Sequence, residues 1–132
     1  MDDLHYVRFE AATGDATGRR GGVFGLVNGL ARAGRLTEAQ DEFRRAGNVW
    51  YDANYADPTS VDPTVYDHDL HPGAAAWFKP SATHLLDRVP GYLDILDAHG
   101  IAWTRLESPT PGRIIYEDPN QIVVVPLVGE PT

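Results

Sequence analysis

Residues 101–127 read IAWTRLESPTPGRIIYEDPNQIVVVPL, and the pairing of the apolar runs within this stretch decides the fold class. IAWTRLE (101–107), RIIYED (113–118) and QIVVVPL (121–127) are short and rich in β-branched and aromatic residues, the composition that suits a pleated, half-buried surface. Between them stand SPTPG and Asp118-Pro119-Asn120, where proline suits the second position of a tight turn. The spacing predicts a three-stranded antiparallel meander. Near the start of the chain, LHYVRFEA (4–11) alternates His5, Val7 and Phe9 with Tyr6, Arg8 and Glu10, the period of a strand with one face buried.

Helical periods fill the chain between these strands. Val23, Leu26, Val27 and Leu30 share one face, and Gly34 supplies the left-handed residue that ends helices. Thr37-Glu38-Ala39-Gln40 has the form of a capping box, in which two side chains satisfy backbone N–H groups left over at a helix start. From there Ala39, Phe43, Ala46 and Trp50 predict an amphipathic helix to about residue 54, with Asp41 paired to Arg45 on its outer side. ADPTSVDPT (56–64) is irregular, because each proline moves its predecessor out of helical geometry; Asp62-Pro63 is expected to cap one short turn running to about Asp69. After a Ser81 cap, Leu85, Leu86, Val89, Tyr92, Leu93 and Leu96 form a stripe through Pro90. That stripe predicts a kinked helix or two abutting helices ended at Gly100. Together the elements predict a single α+β domain, residues 1–132, with an antiparallel or mixed sheet of about four strands and helices packed on one face.

The chain of 132 residues has no cysteine, which excludes disulfides, a thiolate nucleophile and cysteine-bound metal clusters. No apolar run approaches the length of a bilayer span, and MDDLHYVRFE places acids where a secretory signal has basic residues, so a soluble, cytoplasmic protein is expected, with no membrane partner. The net charge of −8 is uneven: residues 1–45 hold seven arginines against seven acids, and residues 46–132 hold four basic residues against twelve acids. Nucleic acid is therefore not an expected partner, since its backbone requires a positive surface. GDATGRRGG (14–22) lies between a strand and a helix, a context that can hold phosphate. It lacks the Lys-Ser/Thr of a P-loop and reads as a surface loop with Arg19 and Arg20 solvated.

The run from VFGLVNGLARAGRL through WYDANYADPT and AWFK to PGRIIYEDPNQIVVVP resembles short uncharacterised proteins of high-GC actinobacteria. The resemblance implies a cytoplasmic bacterial protein, carries no known activity and transfers no catalytic residue to this chain.

The strongest regional signal is the tract from Ala46 to Phe78. It has no Lys or Arg, yet holds five aspartates, two histidines and six of the chain's thirteen aromatic residues. Aromatic faces beside carboxylates favour a cationic ligand. The tract therefore predicts a binding site in which Trp50, Tyr51, Tyr66 and Trp77 supply contact area, Asp67 and Asp69 supply charge, and Lys79 joins as a binding residue or as partner acid or electrostatic stabiliser in proton transfer. The ligand expected is a cationic or neutral small molecule, or a protein partner; the alternative for these residues is turn-forming aspartates and ordinary core rings. His68 and His71 are three apart and flanked by aspartates, a set suited to general acid–base catalysis or, with a third ligand from His5, His84 or His99, to a divalent metal. No cofactor is identifiable. Binding is the first reading, a small His/Asp or metal-assisted enzyme the second, and an accessory or inhibitory protein acting only through protein contact the third.

Overall fold

The structure is a computed structural model that describes residues 5–14, 20–67 and 69–126. The elements run β1 (Tyr6–Ala11), α1 (Val23–Arg32), α2 (Glu38–Asn54), a 3-10 turn (Pro58–Ser60), β2 (Ala75–Phe78), α3 (Thr83–Leu86), α4 (Val89–Ala98), β3 (Trp103–Ser108), β4 (Arg113–Glu117) and β5 (Gln121–Val125). This is the α+β class, with five strands in the order β3-β1-β2-β5-β4. No helix among the described residues is long and apolar enough to cross a membrane.

Two features of the sheet depart from expectation. The segment AAWF forms β2, which pairs antiparallel with β1 (Val7 opposite Phe78) and with β5 (Trp77 opposite Ile122). Four residues are too few for a legible alternation, so β2 owes its extended form to the two strands that take its backbone hydrogen bonds. The three C-terminal strands are not a meander: β4 and β5 form the expected antiparallel hairpin, but β3 lies beside β1 at the other edge. The two prolines of the Ser108–Gly112 link suit a traverse better than a tight hairpin. Gly112 immediately precedes β4 and lies against β5, where an added Cβ would lie 2.4 Å from the Val125 carbonyl oxygen. All five residues of β5 are buried, and the apolar run Ile122–Val125 suits a strand with neighbours on both sides.

The chain divides into two compact units, each assembled from separated segments. The first comprises residues up to Arg8, Tyr55–Thr83 and the chain from Leu106 onward; the second comprises Phe9–Asn54 and His84–Arg105. In the first, Trp77, Ile122 and Val124 form a buried cluster against which Tyr6 and Leu106 pack. On the opposite side of β2, Phe78 stacks on Tyr55 at a centroid distance of 5.3 Å.

The second unit is built on α1, α2 and α4. The capping box is present as read: Gln40 N donates to Thr37 Oγ1 at 3.1 Å and Thr37 N to Gln40 Oε1 at 3.0 Å. Gly34 and Gly100 have φ of 70° and 69° just beyond α1 and α4, the left-handed conformation expected of them. The stripe around Pro90 resolves into two abutting helices, α3 and α4, with Pro90 in the first turn of α4 where its missing N–H costs no bond. Along α2 the buried face is not the expected one. Phe43 is 40% exposed and Ala39 and Ala46 are exposed, whereas Tyr51 is buried and Gly47 and Asn48 lie half-buried. The seam of α2 is thus small and polar at its centre, which a hydrophobic period cannot register.

Tyr92 of α4 explains that seam. Its ring meets Phe24, Phe43 and Tyr51 at 5.0, 5.2 and 5.9 Å, and its hydroxyl donates to Asn48 Oδ1 at 3.0 Å. Gly47 leaves the space: a Cβ there would lie 2.3 Å from the Tyr92 hydroxyl oxygen. Gly91 does the same for Phe43, whose ring tip would be 2.2 Å from an added Cβ. Gly47→Ala gains about 1 kcal/mol of helix propensity and costs about 1–3 kcal/mol in overpacking against a ring held on three sides. Net destabilisation is expected in guanidinium unfolding, and a more stable variant would contradict this packing.

Candidate functional site

The acidic tract is ordered by one local device used three times at five-residue spacing. Asp57 Oδ1 accepts the N–H of Thr59 at 2.9 Å, Asp62 Oδ1 that of Thr64 at 3.0 Å, and Asp67 Oδ1 that of Asp69 at 2.8 Å. The hydroxyls of Thr59 and Thr64 add a second bond to the same oxygens, each at 2.7 Å. Each is an Asx-turn, in which a short carboxylate replaces a backbone carbonyl as acceptor. The similarity of DPTSV and DPTV is therefore a repeat of local geometry. The helical turn expected after Asp62 lies instead at Pro58–Ser60, capped by Asp57, and Pro63–Tyr66 is a plain turn. Hydrogen bonds from the Thr64 hydroxyl and amide, with His71 nearby, hold the Asp62 carboxyl below its ordinary range.

Longer-range contacts pin the same segment. Val65 and Pro58 are buried, and Gln121 Nε2 donates to the Ala56 carbonyl at 2.8 Å. His71 Nδ1 lies 3.0 Å from the Thr64 carbonyl oxygen, an acceptor that requires the proton on Nδ1. The His71 N–H donates to the Asp67 carbonyl at 2.7 Å. Three bulky apolar side chains nevertheless stay outside: Val61, Leu70 and Tyr66 are 71%, 59% and 38% exposed.

The expected site residues fall into both units. Trp50 and Tyr51 belong to the helical unit; Tyr66, Asp67, Asp69, His71, Trp77 and Lys79 belong to the sheet unit, and His68 lies outside the described residues. One face of Trp50 carries the chain's own Arg88, whose guanidinium carbon is 3.9 Å from the ring centroid, so the cation expected from the aromatic composition is internal. Tyr51 is buried and donates to the Leu85 carbonyl at 2.7 Å; burial raises its phenol pKa, with Tyr92 adding and Arg88 opposing. Trp77 is a core residue at 8% exposure, and Lys79 Nζ is paired with Glu117 Oε2 at 2.6 Å. Asp67 is the third Asx-turn acceptor and also receives the Leu70 N–H at 3.1 Å. Tyr66 and Asp69 remain at the surface. Of the donors considered for a metal, His99 is bonded through Nε2 to Gln40 Oε1 at 3.0 Å and His84 lies edge-on to Trp50. Among the described residues no three His, Asp or Glu side chains gather as a metal would require.

Two arrangements escaped the sequence reading. At the β4–β5 turn, Asp118 accepts four hydrogen bonds, from Asn120 N, Gln121 N, Gln121 Nε2 and the Tyr116 hydroxyl, at 2.8, 3.1, 2.8 and 2.8 Å. This cluster satisfies Gln121, a buried polar residue, and is structural. In the helical unit a groove of about 400 Å³ is lined by Asn28, Ala31, Arg32, Arg44 and Asn48. Spacing alone offers a trace of it, since Asn28 and Arg32, and likewise Arg44 and Asn48, stand four apart on single helices. Compared with protein-family models, curated proteins and solved structures, the chain matches none, so its functional reading rests on these residues alone.

Proposed function

We propose that the chain is a binding protein and that residues 57–67 and 69–71 form its contact surface for a protein partner presenting an apolar cleft with a basic rim. The observation that supports this reading is the exposure of Val61, Tyr66 and Leu70 on a segment whose backbone is held by three Asx-turns and the His71–Thr64 bond. A surface ordered before binding loses little conformational freedom on association. The partner's charge follows from the absence of Lys and Arg between residues 46 and 78, where the turn-forming aspartates keep their second oxygens for an approaching cation. A small cationic ligand is the weaker form of the reading, because Trp50 is covered by Arg88 and Trp77 is core.

The test compares immobilised wild-type chain with a Val61→Ser, Leu70→Ser double variant, whose thermal unfolding is expected to be unchanged because both residues are exposed. A protein retained by the wild type should bind the double variant more weakly by about tenfold or more, roughly 1.4 kcal/mol, and should elute at raised salt. Equal retention by the two chains, or retention that salt leaves untouched, would refute this surface.

A further inference from the structure

The groove between α1 and α2 is lined by two arginines and two asparagines, and it stands independently of the acidic surface. Asn28, Ala31 and Arg32 come from the last turns of α1, and Arg44 and Asn48 from consecutive turns of α2. The short Ala31 side chain leaves the groove open between the polar groups.

Hydrogen-bond chemistry orients every amide in it. A guanidinium donates and never accepts, so Asn28 turns its oxygen toward Arg44, whose Nη1 lies 3.4 Å from Asn28 Oδ1. Asn48 offers its NH2 to that same oxygen at 3.0 Å, which leaves Asn48 Oδ1 to accept the Tyr92 hydroxyl at 3.0 Å. Burial, ahead of neighbouring charges, pushes the Tyr92 phenol up to about 12, so this proton stays in place. Asp41 steers Arg44 from behind, its Oδ1 accepting Nε at 3.0 Å and Nη2 at 2.9 Å, while its Oδ2 pairs with Arg45 at 3.2 Å.

The consequence is an inventory of one kind. Asn28 Oδ1 already accepts twice, and Asn48 Oδ1 keeps a single lone pair. Among the described residues, both hydrogens of Asn28 Nδ2, one of Asn48 Nδ2 and the outer N–H groups of Arg44 have no partner. Arg32 makes no ion pair or hydrogen bond among the described residues, so its whole fork is unused. A groove whose unused capacity is nearly all donor, with one unpaired guanidinium and a second held in place by a carboxylate behind it, is complementary to an oxyanion. Its volume suits a small organic molecule rather than a bare ion. We propose that Asn28, Arg32, Arg44 and Asn48 bind the carboxylate or phosphate group of a small anionic metabolite.

The experiment titrates the whole chain with inorganic phosphate, adenosine monophosphate and succinate in separate arms at matched ionic strength. Sodium chloride is the control, and amide and side-chain NMR shifts are the readout. Saturable shifts at the side chains of Asn28, Arg32, Arg44 and Asn48, absent with chloride, are expected in at least one arm; the arm that saturates first identifies the anion class. Two variants report on the mechanism. Arg32→Gln removes the unpaired charge at an exposed position and should weaken binding by about tenfold. Asn28→Asp keeps an oxygen for Arg44 and Asn48, so its thermal unfolding should be unchanged or raised, while its new charge repels the anion and abolishes saturation. No saturable shift in any arm, the same shifts with chloride, or undiminished affinity in both variants would overturn the assignment.

Discussion

Tyr92→Ala should destabilise the helical unit by about 3–5 kcal/mol, the range for removing a fully buried aromatic side chain from a core. Tyr92 is 1% exposed, and its edge contacts with Phe24, Phe43 and Tyr51 add to the loss of area the preference of rings for tilted packing. The Gly47 notch has nothing else to fill it, so the cavity persists. Because a domain of this size typically has about 5–15 kcal/mol in hand, the variant should sit near the edge of folding. Tyr92→Phe separates the contributions: it keeps the ring and loses the bond to Asn48, at about 1 kcal/mol. Denaturant unfolding followed by circular dichroism measures both, and an alanine variant within 1 kcal/mol of the phenylalanine variant, a threshold set by the size of one hydrogen bond, would show that Tyr92 is not the centre of this core.

The second large effect is expected at the β4–β5 turn. Burial raises the Asp118 carboxyl, but hydrogen bonds from Asn120 N, the Tyr116 hydroxyl, the Gln121 side chain and Gln121 N outweigh it and leave the group below its ordinary value of 3.8. Asp118→Asn sets an NH2 against two donors, the Tyr116 hydroxyl and Gln121 Nε2, and should cost about 2–3 kcal/mol near neutral pH, the magnitude for bonds to a charged acceptor. The pH dependence has a definite sign. A carboxyl whose pKa is lower in the folded state contributes stability that is complete above the unfolded value and disappears as pH falls through the folded one. The gap between wild type and variant should therefore narrow as pH falls below the ordinary carboxyl value of 3.8, and a gap that does not change with pH would remove the charge from the argument. A spectroscopic readout accompanies it. Burial and then the bond to Asp118 push the Tyr116 phenol up to about 12, and in Asp118→Asn its ultraviolet titration should move down toward 10.0.

Much of the local structure was legible because it is settled within a few residues. The Thr37–Gln40 box and the turn-forming role of the aspartates depend on side chains reaching backbone two or three positions away, and the glycines after α1 and α4 on a left-handed backbone conformation of their own. The candidate site was less legible. The tract from 46 to 78 was recognised by composition, but composition did not show that Trp50 would be covered by Arg88, thirty-eight positions on, or that Trp77 would enter a strand. His71 emerged as a brace for the acidic turn through Thr64, a bond between residues seven apart that no short motif describes.

The sequence by itself determined the helix ends marked by the Thr37–Gln40 box, Gly34 and Gly100, the α+β class, and the bends of the middle of the chain at each Asp-Pro. These properties follow from backbone hydrogen bonds and side-chain periods closed over roughly four residues. Tertiary structure alone decided the order β3-β1-β2-β5-β4, the strand identity of AAWF and the polar seam between α1 and α2. Each depends on partners tens of residues apart. β2 is a strand because β1 and β5 pair with its backbone, and Asn28 and Asn48 form a donor-lined groove because Arg44 and Tyr92 dictate which way their amides face.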